Sequence, residues 1–178
     1  AGDDDDSAGD DDDSAGDDDD SAGDDDDSAG DDDDSACPEP TVLVEPSPCP
    51  AACSSCSGVV CSIDCNANSS CQGAALLCPA FMECDVQCGG IAACQSASIR
   101  CPNEGPCTVG CSNSSACQSM FLTGSGPDTL TLECTGDSAC QGGQVTCGDG
   151  PCALACTGPS ASLGQVNCGD SCACNSGC

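Results

Sequence analysis

Cysteines recur along this chain at intervals of 23 residues. Cys71, Cys94, Cys117 and Cys140 form one series, and Cys65, Cys88, Cys111 and Cys134 another. Cys61, Cys84 and Cys107, and then Cys78 and Cys101, keep the same step. A period of about 20 to 50 residues marks a solenoid, propeller or array, in which each repeat stacks on its neighbours. Apolar residues follow the period as well. Ile63, Val86, Val109 and Leu132 make one ladder, with Leu154 one residue early; Leu76, Ile99, Leu122 and Val145 make a second, with Val166 two residues early. The late contractions read as loop deletions.

Inside the repeat the local pattern is that of strands. In "CDVQC" (84–88) and "CTVGC" (107–111) the cysteines and the valine fall at i, i+2 and i+4, which is one face of a strand, with Asp85, Gln87 and Thr108 on the other. "ASIRC" (97–101) alternates likewise, with Ala97, Ile99 and Cys101 inward and Arg100 outward. Two short strands per repeat, joined by polar turns such as "PNEGP" and "SNSSA", predict an all-β fold. The expected architecture is a small disulfide-rich β-solenoid (β-helix) of about five to six coils over residues 56–178, closed by a C-terminal cap. Gln72, Gln95, Gln118 and Gln141 share the period, which suits a coil-to-coil amide ladder and equally a polar turn residue copied with the repeat.

The interior of such a coil is sulfur plus one aliphatic side chain per strand. With 24 cysteines against two phenylalanines and no tryptophan or tyrosine, the chain cannot close an ordinary core. So high and even a cysteine count reads as a disulfide scaffold made in an oxidising, extracellular or cell-surface compartment. One irregular coil bears on the pairing. Where the register calls for cysteines at 124 and 130 the chain has Gly124 and Leu130, while Cys134 and Cys140 are kept. Paired losses imply paired residues: Cys78 with Cys84 and Cys101 with Cys107, and as the complementary pairs Cys88 with Cys94 and Cys111 with Cys117. Pairing between coils stays open at this level.

Residues 1–36 are a different material. Five copies of AGDDDDS, followed by Ala36, hold 20 of the 31 acidic residues. The remaining chain has eleven acids against Arg100, and the net charge is −30. This balance excludes nucleic acid as a partner, because phosphate binding needs clustered Lys and Arg. It points to cations. A tract with nothing apolar to bury is expected, alone in low salt, to be extended and disordered, a solvated tether. The sharper expectation is calcium, a hard ion that takes about six to eight oxygen ligands. The candidate ligands are Asp3, Asp4, Asp5 and Asp6, then Asp10, Asp11, Asp12 and Asp13, then Asp17, Asp18, Asp19 and Asp20. Asp24, Asp25, Asp26 and Asp27, and Asp31, Asp32, Asp33 and Asp34, complete the set. Asp3, Asp5 and Ser7 have alternate-oxygen spacing, and Gly9 allows a turn.

Residues 37–55 form a proline- and cysteine-rich joint, "CPEPTVLVEPSPCPAAC" over 37–53, around one expected strand from Thr41 to Val44. Prolines on both sides would free that strand to pair with a neighbouring copy; otherwise it would cap its own first coil. The chain begins without Met, without an apolar signal segment and without a run long enough to span a membrane, so a mature, processed product is expected.

Catalysis has little to stand on. Without His, Lys or Tyr a carboxylate is the remaining general base, and acidic pairs such as Glu83 and Asp85 are expected to alternate across a strand. Thiolate metal clusters want closely spaced cysteines, yet Cys172-Ala173-Cys174 is the single Cys-x-Cys. "CSSC" (53–56) lacks the strand-to-helix context of a redox motif and reads as structural. Asn68 and Asn113 head Asn-x-Ser sequons of a kind common in Ser-rich loops, and no outward Thr ladder supports an ice-binding face.

The repeat, roughly "ACQ…I.CP…PC.V.CS" over about residues 56–168, resembles the cysteine-rich repeats of secreted or lipid-anchored surface proteins of myxobacterial type. That resemblance implies a disulfide-rich surface solenoid, often joined to an anchor by a Gly, Ser and Asp tract, and no particular activity. No cysteine begins this chain, so lipid anchoring is not expected. The expected function is a non-enzymatic extracellular structural protein that binds calcium through its Asp repeats and assembles with copies of itself into a fibre or surface layer. The alternative is a surface-displayed binding module or adhesin with the Asp tract as a flexible spacer.

Overall fold

The computed structural model describes residues 36–178; the five acidic heptads, residues 1–35, lie outside the described residues. Twelve strands follow in chain order. They are β1 Ser55–Ser57, β2 Val60–Asp64, β3 Ala75–Leu77, β4 Glu83–Cys88, β5 Ser98–Arg100 and β6 Cys107–Cys111. Then come β7 Phe121–Thr123, β8 Leu130–Cys134, β9 Gly143–Thr146, β10 Cys152–Cys156, β11 Leu163–Asn167 and β12 Cys174–Gly177.

They form two sheets, one of seven strands in the order β1-β2-β4-β6-β8-β10-β12 and one of five in the order β11-β9-β7-β5-β3. Every pairing is parallel except β1 with β2. Strands that return beside themselves one coil later make a β-solenoid of about five coils, and the register follows the sequence period. Cys84 faces Cys107, Val86 faces Val109 and Ile99 faces Leu122. From β8 onward the step drops to 22, Leu130 pairing with Cys152 and Cys152 with Cys174, with the strands kept and the connections shortened. In β11 a register shift between Leu163 and Gln165 brings Val166 back opposite Val145.

Alternation along each strand sends the cysteines and aliphatics inward. Val86, Val109, Leu132 and Ile99 are wholly buried, with Met82 and Met120 filling the corners. Among the described residues no buried side chain is polar or charged.

The connection from the seven-stranded to the five-stranded sheet is a third wall whose character the sequence does not announce. Its backbone enters the left-handed region at every second residue. Eleven residues other than glycine, among them Ser69, Cys71, Ala92, Cys94, Ser115, Cys117 and Cys140, have φ between 53° and 58°. Each such residue costs roughly 1–2 kcal/mol. The wall persists because it continues the coil-to-coil hydrogen bonding. Ala92 donates its N–H to Ser114 of the next coil (3.0 Å), and Cys94 donates to Ser70 of the previous one (2.9 Å). Ala93, Ala116 and Ala139 face inward there, fully buried, where small side chains let the backbone pack against the sulfur.

The joint differs from its expectation. Thr41 to Val44 is not a strand but an extended strap that crosses the loops leading from the five-stranded sheet back to the seven-stranded one. Cys37 is bonded to Cys172 in the last loop, Thr41 donates to Asp128 (2.9 Å), and Val44 donates to the Phe81 carbonyl in the first loop (2.8 Å). Cys49–Cys56 and Cys53–Cys61 fix the far end. The strap therefore runs the length of the coils from last to first. Pro38, Pro40, Pro46 and Pro48 remove the N–H groups a strand ladder would need and hold their neighbours extended, which is why the segment lies on the coils without joining a sheet. Val44 already donates to its own coils, so the proposed strand addition by Val42 to Val44 loses its basis; Val42 itself is 83% exposed.

Candidate functional site

All 24 cysteines are in twelve disulfides and none is free. The coil bridges form two columns. Under the third wall stand Cys65–Cys71, Cys88–Cys94, Cys111–Cys117 and Cys134–Cys140, each closing a sequence separation of 6. Under the loop column stand Cys78–Cys84, Cys101–Cys107, Cys147–Cys152 and Cys168–Cys174. Cys156–Cys178 ties down the C-terminal end. No bridge joins one middle coil to the next.

Gly124 and Leu130 interrupt the second column, and the packing explains why both cysteines are missing together. Leu130 is buried, and its Cδ2 would lie 3.0 Å from a Cβ placed on Gly124. The leucine occupies the space of the absent bridge, and together with the Gly148 backbone N, 2.9 Å from the same Cβ position, it crowds any side chain at 124.

The sulfurs approach one another between coils: Cys88, Cys111 and Cys117 lie within 4.8 Å, as do Cys111, Cys134 and Cys140. Because all are oxidised they offer no thiolate to a metal, and the column is packing material. Among the described residues the groups of three or more potential ligand atoms within that distance are all cysteine sulfurs, with no carboxylate cluster among them. The Asp tetrads named as calcium ligands, Asp3 to Asp34, lie outside the described residues. Glu83 and Asp85 do not alternate across β4. Being two apart, they share its outward face, where the Gln87 amide donates to Asp85.

The glutamine series does form a ladder. The Nε2 of Gln72 donates to Gln95 Oε1 (2.7 Å), Gln95 to Gln118 (2.8 Å) and Gln118 to Gln141 (3.2 Å). It ties the outer surface of the third wall from coil to coil through one amide bond per step.

The strap and the loops below it hold the carboxylate with the most distinctive surroundings. Asp128 accepts from Thr41 N through Oδ1 and from Gly105 N through Oδ2 (2.7 Å). Partial burial pushes its pKa up, but the hydrogen bonds from the Thr41 side chain and backbone and from Gly105 outweigh it and hold the carboxyl below the ordinary value of 3.8. Gly105 is held in a conformation closed to other residues, with φ +123° and Met82 O 2.1 Å from where a Cβ would sit. Sequence reasoning missed this anchor: Gly105 and Asp128 stand one 23-residue period apart, but neither belongs to the cysteine or aliphatic series, and Thr41 lies outside the repeat altogether.

No protein-family model, no curated protein and no solved structure matches the chain.

Proposed function

We propose that this is a non-enzymatic extracellular structural protein, a covalently fixed solenoid carrying an acidic arm that binds calcium and joins copies of the chain into a fibre or layer. The observation behind this reading is the division of chemistry. The described coils have every cysteine closed and no buried polar group, whereas the arm holds 20 carboxylates in five identical tetrads. Twelve disulfides support an oxidising compartment. The likeness of the repeat to cysteine-rich surface proteins of myxobacterial type supports placing that compartment outside the cell.

The end of the coils favours a link made elsewhere than by sheet continuation. β1 runs antiparallel on the outer edge of β2, so the seven-stranded sheet is capped while the edge of β3 in the other sheet is unpaired. A second solenoid placed on that end would meet an antiparallel strand in one sheet and a parallel edge in the other, two different pairing geometries. In this reading the link between copies is the arm, which precedes Cys37 in the chain, through calcium shared between tetrads of different chains. Shared calcium also screens a charge of −30 that would otherwise keep copies apart.

Calorimetric titration with calcium, before and after deletion of residues 1–35, tests the reading alongside electron microscopy in calcium and in chelator. Single tetrads are expected to bind at about 10⁻⁴ to 10⁻³ M, with loss on deletion, and assemblies should dissolve in chelator. Equal binding by both forms, or monodisperse particles in both conditions, would overturn it.

A further inference from the structure

A cleft of about 480 Å³ lies between the strap and the loop column. Pro38, Pro40 and Leu43 form the strap wall, and Pro106, Pro127 and Pro151 form the opposite one. Five of these six are rigid rings without an N–H, so both walls are apolar and neither can fold inward to fill the gap. The volume suits a small molecule.

The polar groups of the cleft are of one kind. Glu39 and Asp128 bring carboxylates, and Thr41 and Thr129 bring hydroxyls. Asp128 is fixed by the Thr41 backbone and side chain and by Gly105, three donors to two oxygens, and the carboxylate keeps lone-pair capacity for a guest. Arg100, the one basic residue of the chain, is not in the lining. The cleft thus offers negative charge in an apolar frame on a molecule whose overall field draws cations. It does not suit a bare hard ion. Calcium wants about six to eight oxygens, and here two carboxylates stand among prolines.

We propose that the cleft is a binding site for a small organic cation with an apolar body, a primary ammonium on an aryl or alkyl chain. Its charged head meets Asp128 and Glu39, and its hydrocarbon lies along Pro106, Pro127 and Pro151. Because one wall is the strap, the site exists in the form in which Cys37 is bonded to Cys172. It stands apart from the calcium chemistry assigned to the arm and holds whether or not copies assemble.

The test is an NMR titration of the full chain with phenethylammonium, with phenethyl alcohol as the neutral match. The ammonium is expected to shift the amides of Thr41, Gly105 and Thr129, and the alcohol to bind about tenfold more weakly, the scale of a hydrogen bond to a charged group. Asp128→Asn should weaken the ammonium about tenfold, and Glu39→Gln about threefold through a more exposed pair. Glu39→Gln leaves the anchor of the strap in place, so its result stands even if Asp128→Asn frees the strap. The double variant Cys37→Ala, Cys172→Ala should lose binding while the coil amides keep their shifts. Shifts confined to the Asp tetrads would mean counter-ion condensation on the arm and overturn the site. Equal affinity for the alcohol, or unchanged affinity in all three variants, would overturn it as well.

Discussion

In the coils a bridge such as Cys111–Cys117 closes a separation of 6 between residues whose strands are already held by a parallel ladder. Along the strap, Cys37–Cys172 closes a separation of 135 beside two backbone donors, Thr41 and Val44. The bond is the same, but it acts on different states of the chain. Chain entropy gives a short loop about 2 kcal/mol and a long one closed alone about 5 kcal/mol, and the inner bridges lower the second figure slightly by shortening the path. A coil bridge adds its buried sulfur to the packing, as Cys111 and Cys117 do at 1% and 0% exposure. The strap bridge buries little, since Cys37 is exposed, and works chiefly by restricting the unfolded chain. Coils are stabilised by what they contain, and the strap by what it prevents.

The largest expected effect separates these two roles. The double variant Cys37→Ala, Cys172→Ala should lower the free energy of global unfolding by about 4 to 5 kcal/mol in a denaturant titration. Its amide spectrum should change along the strap and stay constant at Val86, Val109 and Leu132. The variant Cys111→Ala, Cys117→Ala should lose about 2 to 4 kcal/mol, and its spectrum should change at Ala116, Val109 and Leu132, where the packing is cut. A strap variant as stable as the parent, or one whose coil amides move, would erase the distinction.

The same contrast sets what could be read in advance. The coils were legible because each position is stated several times. A cysteine at 65, 88, 111 and 134 and an aliphatic at 63, 86, 109 and 132 fix strand, face and register together. The loss at 124 and 130 is informative because it breaks a repeated pattern. The strap occurs once and repeats nothing. Its partners, Cys172, Asp128 and Phe81, are set by where the coil loops fall in space, and no spacing along the chain encodes that. The left-handed turns of the third wall were hidden for another reason. Ser, Ala and Cys occupy φ near 55° there, whereas the usual signal for that conformation is glycine.

That wall gives the second test, and it bears on the coils alone. At Ser115, with φ of 55°, the hydroxyl makes no described hydrogen bond, so the residue carries the left-handed penalty with no described side-chain bond in return. Ser115→Gly removes the Cβ that makes the conformation costly, against some loss from a freer unfolded chain. A gain of up to about 1 kcal/mol is expected, visible as a rise in Tm. The same serine placed in the strap would have no such reserve, because no strap residue among those described has a positive φ. A fall in Tm would show that the Ser115 side chain contributes more to the stacked wall than its backbone costs.

The smallest expected effect belongs to the strap and depends on pH. Asp128 holds its carboxylate on Thr41 and Gly105, and its pKa in the folded chain is lowered from 3.8. A group whose folded pKa is depressed contributes stability that is present above the unfolded pKa and is lost as pH falls through the folded one. From neutral pH down to about pH 5 both states are ionised and the anchor should be constant. Below that the unfolded chain takes up the proton first, and the contribution fades until the folded carboxyl is protonated too. The effect is under about 1 kcal/mol, because the carboxylate is largely reached by water. Amide shifts of Thr41 and Gly105 should therefore titrate together below pH 4, while those of Val109 and Leu132 stay flat. Asp128→Asn should remove that titration. If the coil amides moved with Thr41, strap and coils would open as one cooperative unit. If Thr41 and Gly105 titrated between pH 5 and 7, a group other than Asp128 would be holding the strap.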